Sequence, residues 1–300
     1  MGVKMSRGRR TLLFMTVPSI LLVLVFSYLP IFGWVYTFFD YRIGYRLLNC
    51  EFVGLDNLIY AFSDPYIMTV ILNTLIISVL GLSGLPLAGI IAILLSEVRG
   101  KKFKKVVQTV ITVPNFISWI IIYSIMFSLF SNDGMLTVVF RQMTGNMDST
   151  TTLLTNLGTA KLFMVMTNIW KTVGYNSIIF FAAITGIDSQ LYDAASVDGA
   201  GRWQKIWHIT IPGLLPTFIT LLIISVGGIL NNGFEQYYVF VNPMIQRNIE
   251  VVDYYVYRIG MLQNDITVST AVSMVKSFIS VVLVFGVNRL SKTLLGQSIM

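Results

Sequence analysis

YDAASVDGAGRWQKIWHITIPGLLP, residues 192–216, is the most informative stretch of this 300-residue chain. Just upstream, Asp188 or Ser189 can cap a helix N-terminus, and the alanines that follow favour helix. Gly199 and Gly201 tolerate left-handed backbone, so the chain is expected to reverse direction there. The stretch therefore predicts a short helix, a tight turn and a second helical piece.

The second helical piece is amphipathic. Trp203, Ile206 and Trp207 lie at i, i+3 and i+4, which places them on one apolar stripe. Pro212 and Pro216 are expected to end this piece and to start a membrane-spanning helix. The two tryptophans alone would equally suit a passive helix in the headgroup region of a membrane. Amphipathicity by itself leaves both interpretations open.

The composition indicates a protein of the lipid bilayer. Hydrophobic residues make up 55% of the chain and charged residues only 12%, whereas soluble domains carry about a quarter charged residues. The single cysteine, Cys50, cannot form an intrachain disulfide and has no companion at metal-ligand spacing. The one histidine, His208, has no nucleophile or carboxylate at catalytic spacing. The sequence thus predicts neither a metal site nor a catalytic residue.

Six apolar runs are long enough to cross a bilayer, which needs about 20 residues. They span roughly 11–34, 67–95, 106–130, 160–184, 214–232 and 270–290. The first run is too long for the apolar core of a signal peptide, so an uncleaved helix is expected. We predict an all-α, polytopic membrane protein with six transmembrane helices and a single domain over residues 1–300.

The basic residues orient these helices. With a cytoplasmic N-terminus, thirteen lysines and arginines fall on the cytoplasmic side, five fall outside, and Lys161, Lys171 and Lys276 remain within spans. The thirteen are Lys4, Arg7, Arg9, Arg10, Arg99, Lys101, Lys102, Lys104, Lys105, Arg202, Lys205, Arg289 and Lys292. This positive-inside bias places both termini in the cytoplasm and argues against a nucleic-acid surface.

The 192–216 stretch resembles the EAA signature of the permeases of bacterial binding-protein-dependent ABC importers. The matching residues are Ala194, Ala195, Asp198, Gly199, Ala200, Ile209, Pro212 and Pro216. Asp193 stands where the family usually has glutamate. In that family the motif forms the coupling helix that docks on the ATP-binding subunit. The resemblance therefore implies a cytoplasmic coupling loop at 185–213, with contacts from Asp193, Ala194, Ala195, Asp198, Gly199, Ala200, Trp203 and Pro212.

Further segments resemble the carbohydrate branch of this family, the LplB-like group related to the maltose permease. They are FVGLDNL at 52–58, Asn73 to Leu75, VPNFISW at 113–119, NNGFEQYYVFVNP at 231–243 and VVDYYVYRIG at 251–260. The resemblance implies the permease fold of type I ABC importers, in the bacterial cytoplasmic membrane. The implied partners are a second homologous permease, ATP-binding subunits and an extracytoplasmic sugar-binding lipoprotein.

The chain has no ATP-binding loop of its own, because no GxxxxGK[ST] sequence occurs. We therefore expect no cofactor in this chain and ATP hydrolysis on a partner subunit. ATP-driven displacement of the 185–213 loop would tilt the flanking spans and switch access from one side of the membrane to the other.

A translocation path needs polar groups that lipid would not tolerate. Lys171, inside the fourth span, is the leading candidate, although it could equally snorkel or form a structural pair, and Glu235 is a possible partner for it. Amides and aromatic rings near it suit sugar hydroxyls and apolar sugar faces. The predicted path residues are Asn168, Trp170, Lys171, Tyr175, Asn176, Asn232, Glu235 and Gln236.

Other functions fit the sequence less well. An ABC permease for another class of solute stays open, since the carbohydrate assignment comes from the resemblance. A secondary transporter usually contains intramembrane acids for ion coupling, and here Glu235 is the one acid near a span. A membrane-embedded enzyme would need acids sharing one helical face, whereas Asp188, Asp193 and Asp198 are spaced by five.

Overall fold

The computed structural model describes residues 7–144 and 152–295. These residues form helices joined by turns, with one isolated antiparallel bridge between Phe39 and Phe52. The predicted all-α class is confirmed. Lys4, counted above among the N-terminal basic residues, lies outside the described residues.

The helices within the described residues vary from a single turn to thirty residues. In chain order the α-helices are α1 Arg7–Val23, α2 Asp56–Ser63, α3 Pro65–Gly81, α4 Gly84–Glu97, α5 Lys101–Phe116, α6 Trp119–Phe130, α7 Met135–Thr144, α8 Ala160–Thr185, α9 Ser189–Val197, α10 Arg202–Lys205, α11 Ile211–Gly227, α12 Phe234–Phe240, α13 Gln246–Ile249, α14 Val252–Tyr257 and α15 Ile266–Leu295. Turns of π-helix occupy Leu24–Tyr28, Ile206–Thr210 and Arg258–Leu262, and 3₁₀ helix occupies Leu29–Phe38 and Leu47–Asn49.

Five helical segments are both long enough and apolar enough to cross a membrane. They are Leu13–Phe38, Pro65–Glu97, Trp119–Met143, Arg202–Gly227 and Ile266–Arg289. The remaining predicted span, 160–184, coincides with α8, whose 26 residues reach about 39 Å at about 1.5 Å per residue. α8 is long enough to span but carries Lys161, Asn168, Lys171 and Asn176. Among the described residues, five segments are therefore both long and apolar enough, and α8 is long enough but less apolar. The predicted count of six is not fully confirmed.

The span predicted at 106–130 is not one helix. α5 ends at Phe116, Ile117 is extended, and Ser118 caps the start of α6 by accepting the Ile121 N–H at 3.5 Å. The prediction of a single helix failed because the run of apolar residues continues across the break. The signal for the break is Ser118, a serine that caps the start of a new helix. The segment long and apolar enough to cross a membrane in this region is Trp119–Met143.

The span predicted at 67–95 also consists of two helices. α3 and α4 meet at a turn, where the Leu82 N–H donates to the Ser78 carbonyl at 3.0 Å. Pro86 lies in the first turn of α4, where a missing N–H leaves no helical bond unmade. The turn between α3 and α4 therefore accommodates a proline within this apolar run.

The chain divides into two compact units. The first comprises Met1–Met68 and Tyr255–Val275. Within it, the Asn57 amide donates to the Thr37 carbonyl at 2.8 Å, and the Thr267 hydroxyl donates to the Tyr41 carbonyl at 3.2 Å. The predicted single domain over 1–300 stays a prediction.

The second unit comprises Thr69–Tyr254 and Lys276–Met300. Its central element is α8, which packs against α4, α5 and α11. The main apolar cluster of this unit includes Ile77, Ile122, Met164, Tyr237, Phe240 and Ile249, all buried. At Gly174 the backbone of α8 meets the Ile111 carbonyl of α5 so closely that an added Cβ would overlap it. This contact brings α5 and α8 together without a side chain between them.

Replacing Gly174 with alanine should therefore destabilise the protein, by about 1–3 kcal/mol, because α5 must move away from α8. Gly89→Ala is the matched control, since nothing lies within 4 Å of a Cβ at Gly89 and alanine favours helix. Thermal unfolding in detergent should give a lower Tm for Gly174→Ala only. Equal Tm values for the two variants would contradict the close approach.

Candidate functional site

A polar cavity of about 360 Å³ lies within the second unit. Its walls come from α3, α4, α8, α11 and the segment after α11, and Asn115 of α5 and Tyr237 of α12 also line it. Its polar lining residues are Ser78, Asn115, Asn168, Thr172, Asn176, Ser225, Asn231, Asn232 and Tyr237. The cavity is thus lined by amides and hydroxyls together with aliphatic side chains.

One face of α8 supplies the polar wall of the cavity. Asn168, Thr172 and Asn176 recur every four residues, so they stand above one another on the helix. The Thr172 hydroxyl donates to the Asn168 carbonyl at 2.8 Å. Within the described part of the chain, the side-chain amides of Asn168 and Asn176 make no hydrogen bond, and both residues are half-buried. They are therefore available to a solute in the cavity.

The opposite wall is held in place by its own hydrogen bonds. The Ser78 hydroxyl lies 2.8 Å from the Asn232 side-chain oxygen and also contacts the Ile229 carbonyl. The Asn232 amide donates to the Thr74 carbonyl at 3.0 Å. These contacts fix the segment after α11 against α3, and Asn231 lies beside them on the cavity lining.

Tyr237 adds an uncharged phenol to the cavity. Burial, and to a lesser extent the charge of Asp253, raises the pKa of Tyr237 above its ordinary value. The hydroxyl therefore stays protonated at neutral pH and can donate a hydrogen bond.

Lys171 lies outside the lining of the cavity. Its ammonium donates to the carbonyls of Pro114, Asn115 and Ile117 at 3.2, 3.1 and 2.5 Å, and it lies 5.3 Å from the centre of the Trp119 ring. These carbonyls lie where α5 ends, and the Pro114 carbonyl also accepts the Ile117 N–H at 3.2 Å. The geometry favours the structural role that the sequence left open, with backbone carbonyls as the hydrogen-bond partners of Lys171. The negative charge of Glu235 also acts on the ammonium.

The other predicted path residues also lie apart from the cavity lining. Trp170 and Tyr175 are 41% and 47% exposed. Gln236 is buried and donates to the Met164 carbonyl at 2.8 Å. Glu235 is exposed. Their assignment to the path stays a prediction.

Three of the eight predicted path residues therefore meet in one place, namely Asn168, Asn176 and Asn232. The eight predicted residues do not include Ser78, Asn115, Thr172, Ser225 and Tyr237, nor Asn231, which precedes Asn232 in the chain. Thr172 could have been found from its four-residue spacing to its neighbours on α8. Apart from Asn231, the others come from different helices, and no sequence spacing relates them.

An ion pair inside the second unit was also missed. Lys276 of α15 binds Asp253 of α14, and both side chains are largely buried. The sequence shows Lys276 within a span, but its partner is 23 residues away on a separate helix. Pairing offsets the cost of a lysine charge at membrane depth.

The 185–213 loop forms a helical hairpin, as predicted. α9 is capped by Asp188, whose carboxylate accepts the Gln190 N–H at 2.9 Å. Gly199 has φ +77°, and the Ala200 N–H returns to the Ala195 carbonyl at 2.8 Å. This is the left-handed cap that ends many helices, and it reverses the chain.

Two expectations about the hairpin are wrong. Gly201 has φ −73°, so only Gly199 uses the left-handed region. Pro212 does not end the second piece, because helix continues from Arg202 to Gly227. The π-helical turn Ile206–Thr210 precedes the proline, and the Ile211 N–H bonds to the Ile206 carbonyl. This wider turn accommodates a residue that has no N–H to donate.

The two arms of the hairpin are tied together. The Lys205 ammonium donates to the Ser196 hydroxyl at 2.5 Å, and the hydroxyls of Tyr192 and Thr210 lie 3.0 Å apart. These bonds join α9 to the stretch that leads into α11. The hairpin is therefore braced as one body.

The outer surface of the hairpin is uncovered. Trp203 and Trp207 are 74% and 63% exposed, and Asp193, Ala194 and Asp198 are exposed as well. The predicted contact residues thus lie on an accessible surface, apart from the half-buried Ala195 and Ala200.

A helical membrane protein with a polar cavity and an exposed hairpin between two long helices has the architecture of a transport permease. The model of the family "Binding-protein-dependent transport system inner membrane component" matches residues 84–295. The chain belongs to this family. It is a multi-pass membrane protein with the ABC importer permease fold.

Several relatives match over most of their length. Protein LplB of Bacillus subtilis is 38% identical over 278 residues, covering 92% of this chain and 86% of LplB. The polygalacturonan/rhamnogalacturonan transport system permease YteP of Bacillus subtilis is 37% identical, covering 95% of this chain and 88% of YteP. The LplB-like resemblance is confirmed.

A chain of a solved bacterial alginate ABC transporter, in complex with an alginate pentasaccharide-bound periplasmic protein, has the same fold. The TM-score is 0.86 at 31% identity, covering 97% of this chain and 98% of that chain.

Replacing Lys171 with methionine should lower stability by about 1–3 kcal/mol, because buried carbonyls lose their donor. Lys161→Met, at the start of the same helix, removes a half-buried lysine and should change stability little. Thermal unfolding of both variants in detergent checks this. Unchanged stability of Lys171→Met, with impaired transport, would instead favour contact with the solute.

Proposed function

We propose that this chain is the membrane-spanning subunit of an ATP-driven sugar importer, with oligosaccharides as solutes. The observation that carries the proposal is the cavity, whose unpaired asparagine amides lie inside a helical membrane protein. Each amide offers a donor and an acceptor, which complements sugar hydroxyls. The names of YteP and of the alginate transporter, which refer to polysaccharides, add support.

Asn168, Asn176 and Asn232 form the part of the solute path contributed by this chain. The solute enters from one side and leaves from the other as flanking helices tilt, so the amides contact it in passing. Binding at such a site has to be weak enough to permit release. We assign Lys171 a positioning role, because it holds the backbone of Asn115, a residue that lines the cavity.

The hairpin at 185–213 is the proposed docking element for an ATP-binding partner. Its exposed apolar residues, Trp203 and Trp207, suit insertion into a cleft, and Asp193 and Asp198 supply polar contacts at the rim. Because the hairpin is braced internally and continuous with α11, a push on it is transmitted to the spans rather than absorbed. ATP hydrolysis then takes place on the partner.

The proposed assembly contains a second homologous permease, ATP-binding subunits and an extracytoplasmic sugar-binding lipoprotein. The alginate transporter structure, which includes a periplasmic protein, supports the last of these. Both termini are assigned to the cytoplasm by the distribution of lysine and arginine.

Copurification through a tag on this chain tests the proposed assembly, since an ATPase should accompany it. A secondary transporter would bring down none.

Replacing Asn168 or Asn176 with leucine should reduce sugar uptake, because each variant removes hydrogen bonds worth about 0.5–1.5 kcal/mol. The expected loss is about two- to tenfold in apparent affinity. Uptake by proteoliposomes of the oligosaccharide that the wild type transports best provides the measurement. Asn49→Leu, an exposed residue outside the cavity, is the matched control and should behave as wild type. If the cavity variants also behave as wild type, the path assignment is wrong.

Replacing Gly199 with valine should abolish sugar-dependent ATP turnover in the assembled complex. A β-branched residue resists the φ of +77° at this turn, at a cost of about 1–2 kcal/mol or more. Gly201→Val is the control in the same loop, because φ there is −73°. Sugar-stimulated phosphate release measures both. Full coupling in Gly199→Val would exclude the hairpin as the docking element.

A further inference from the structure

The lining of the cavity carries no formal charge. None of its nineteen lining residues is a lysine, arginine, histidine, aspartate or glutamate. Five are asparagines, three carry aliphatic hydroxyls and one carries a phenol. The cavity therefore offers dipoles alone to whatever it holds.

Two lysines of the second unit are already engaged. The Lys171 ammonium is held by three backbone carbonyls and lies over the Trp119 ring. Lys276 is paired with Asp253. Redirecting either lysine into the cavity would leave buried carbonyls or a buried carboxylate without a partner, which is strongly unfavourable.

A carboxylate entering such a cavity would lose its hydration without gaining a counter-charge. Burying an ionised group is costly unless it is paired. A sugar hydroxyl faces no such cost, because it donates to an amide oxygen and accepts from an amide N–H. The free amides of Asn168 and Asn176 thus match an uncharged, hydroxyl-rich solute better than an anion.

We propose that the cavity of this chain takes neutral sugar units and discriminates against uronates, the sugars oxidised to a carboxylate at carbon 6. The inference rests on the proposed function and narrows its substrate class. By this inference, the solute of this chain differs in charge from the solutes named for two of its relatives. The structural neighbour is involved in the import of "the acidic polysaccharide alginate", and the name of YteP refers to polygalacturonan. Similarity in sequence and fold to these relatives therefore does not mean that this chain takes solutes of the same charge.

The test uses the complex purified through a tag on this chain, in lipid nanodiscs, without the extracytoplasmic binding protein. Omitting that protein removes its own selectivity from the measurement. Radiolabelled oligomers are compared as pairs that differ in the carboxylate: glucose with glucuronate, galactose with galacturonate, and mannose with mannuronate. Equilibrium dialysis against empty nanodiscs gives the Kd of each.

In each pair that binds, the neutral member should bind at least about tenfold more tightly. Its Kd should not depend on salt concentration, because no ionic contact is involved. A uronate that binds as tightly as its neutral partner, or more tightly, overturns the inference while leaving sugar import intact. If no member of any pair binds above background, the proposed function fails and the inference fails with it.

Adding a cation to the cavity provides a second test. Asn176→Lys should weaken binding of the neutral oligomer and strengthen binding of the uronate, with the uronate Kd rising as salt is added. Asn49→Lys makes the same change at an exposed position outside the cavity and should leave the preference for the neutral member unchanged. An unaltered preference in Asn176→Lys would overturn the inference.

Discussion

The fold depends on how the backbone carbonyls at the end of α5 are satisfied inside the helical unit. In hydrocarbon no water is available to these carbonyls, so a helix break survives only where protein groups replace water. Lys171 of α8 performs this role by donating to Pro114, Asn115 and Ile117. Asn115, just before this break, also lines the cavity. A single ammonium thus connects the packing of α5 on α8 with the shape of the polar site.

α8 has two polar functions on different faces. One face supplies Asn168 and Asn176 to the cavity, and another supplies Lys171 to the end of α5. The close approach at Gly174 holds α5 against this helix. These demands account for the polar residues of α8, which packs against α4, α5 and α11. A helix surrounded by protein can carry polar groups that a lipid-exposed helix cannot.

The hairpin and the cavity are connected through the same helices. The hairpin leaves α8 at Gly186 and enters a helix that runs unbroken from Arg202 to Gly227. The cavity is lined by α8 and by the end of α11. A displacement of the hairpin therefore acts on both α8 and α11. The proposed coupling of a partner's ATP hydrolysis to solute movement requires such a mechanical connection.

The sequence by itself determined the helical class, the family and the hairpin, because these follow from local patterns: long apolar runs, a capping aspartate at Asp188 and a glycine at Gly199. It also identified α8 as the polar helix. Only the tertiary structure decided that Lys171 binds carbonyls, that Asp253 pairs with Lys276, and which amides share a cavity. These contacts join residues far apart in the chain, and their partners are fixed by helix packing, which no local spacing encodes.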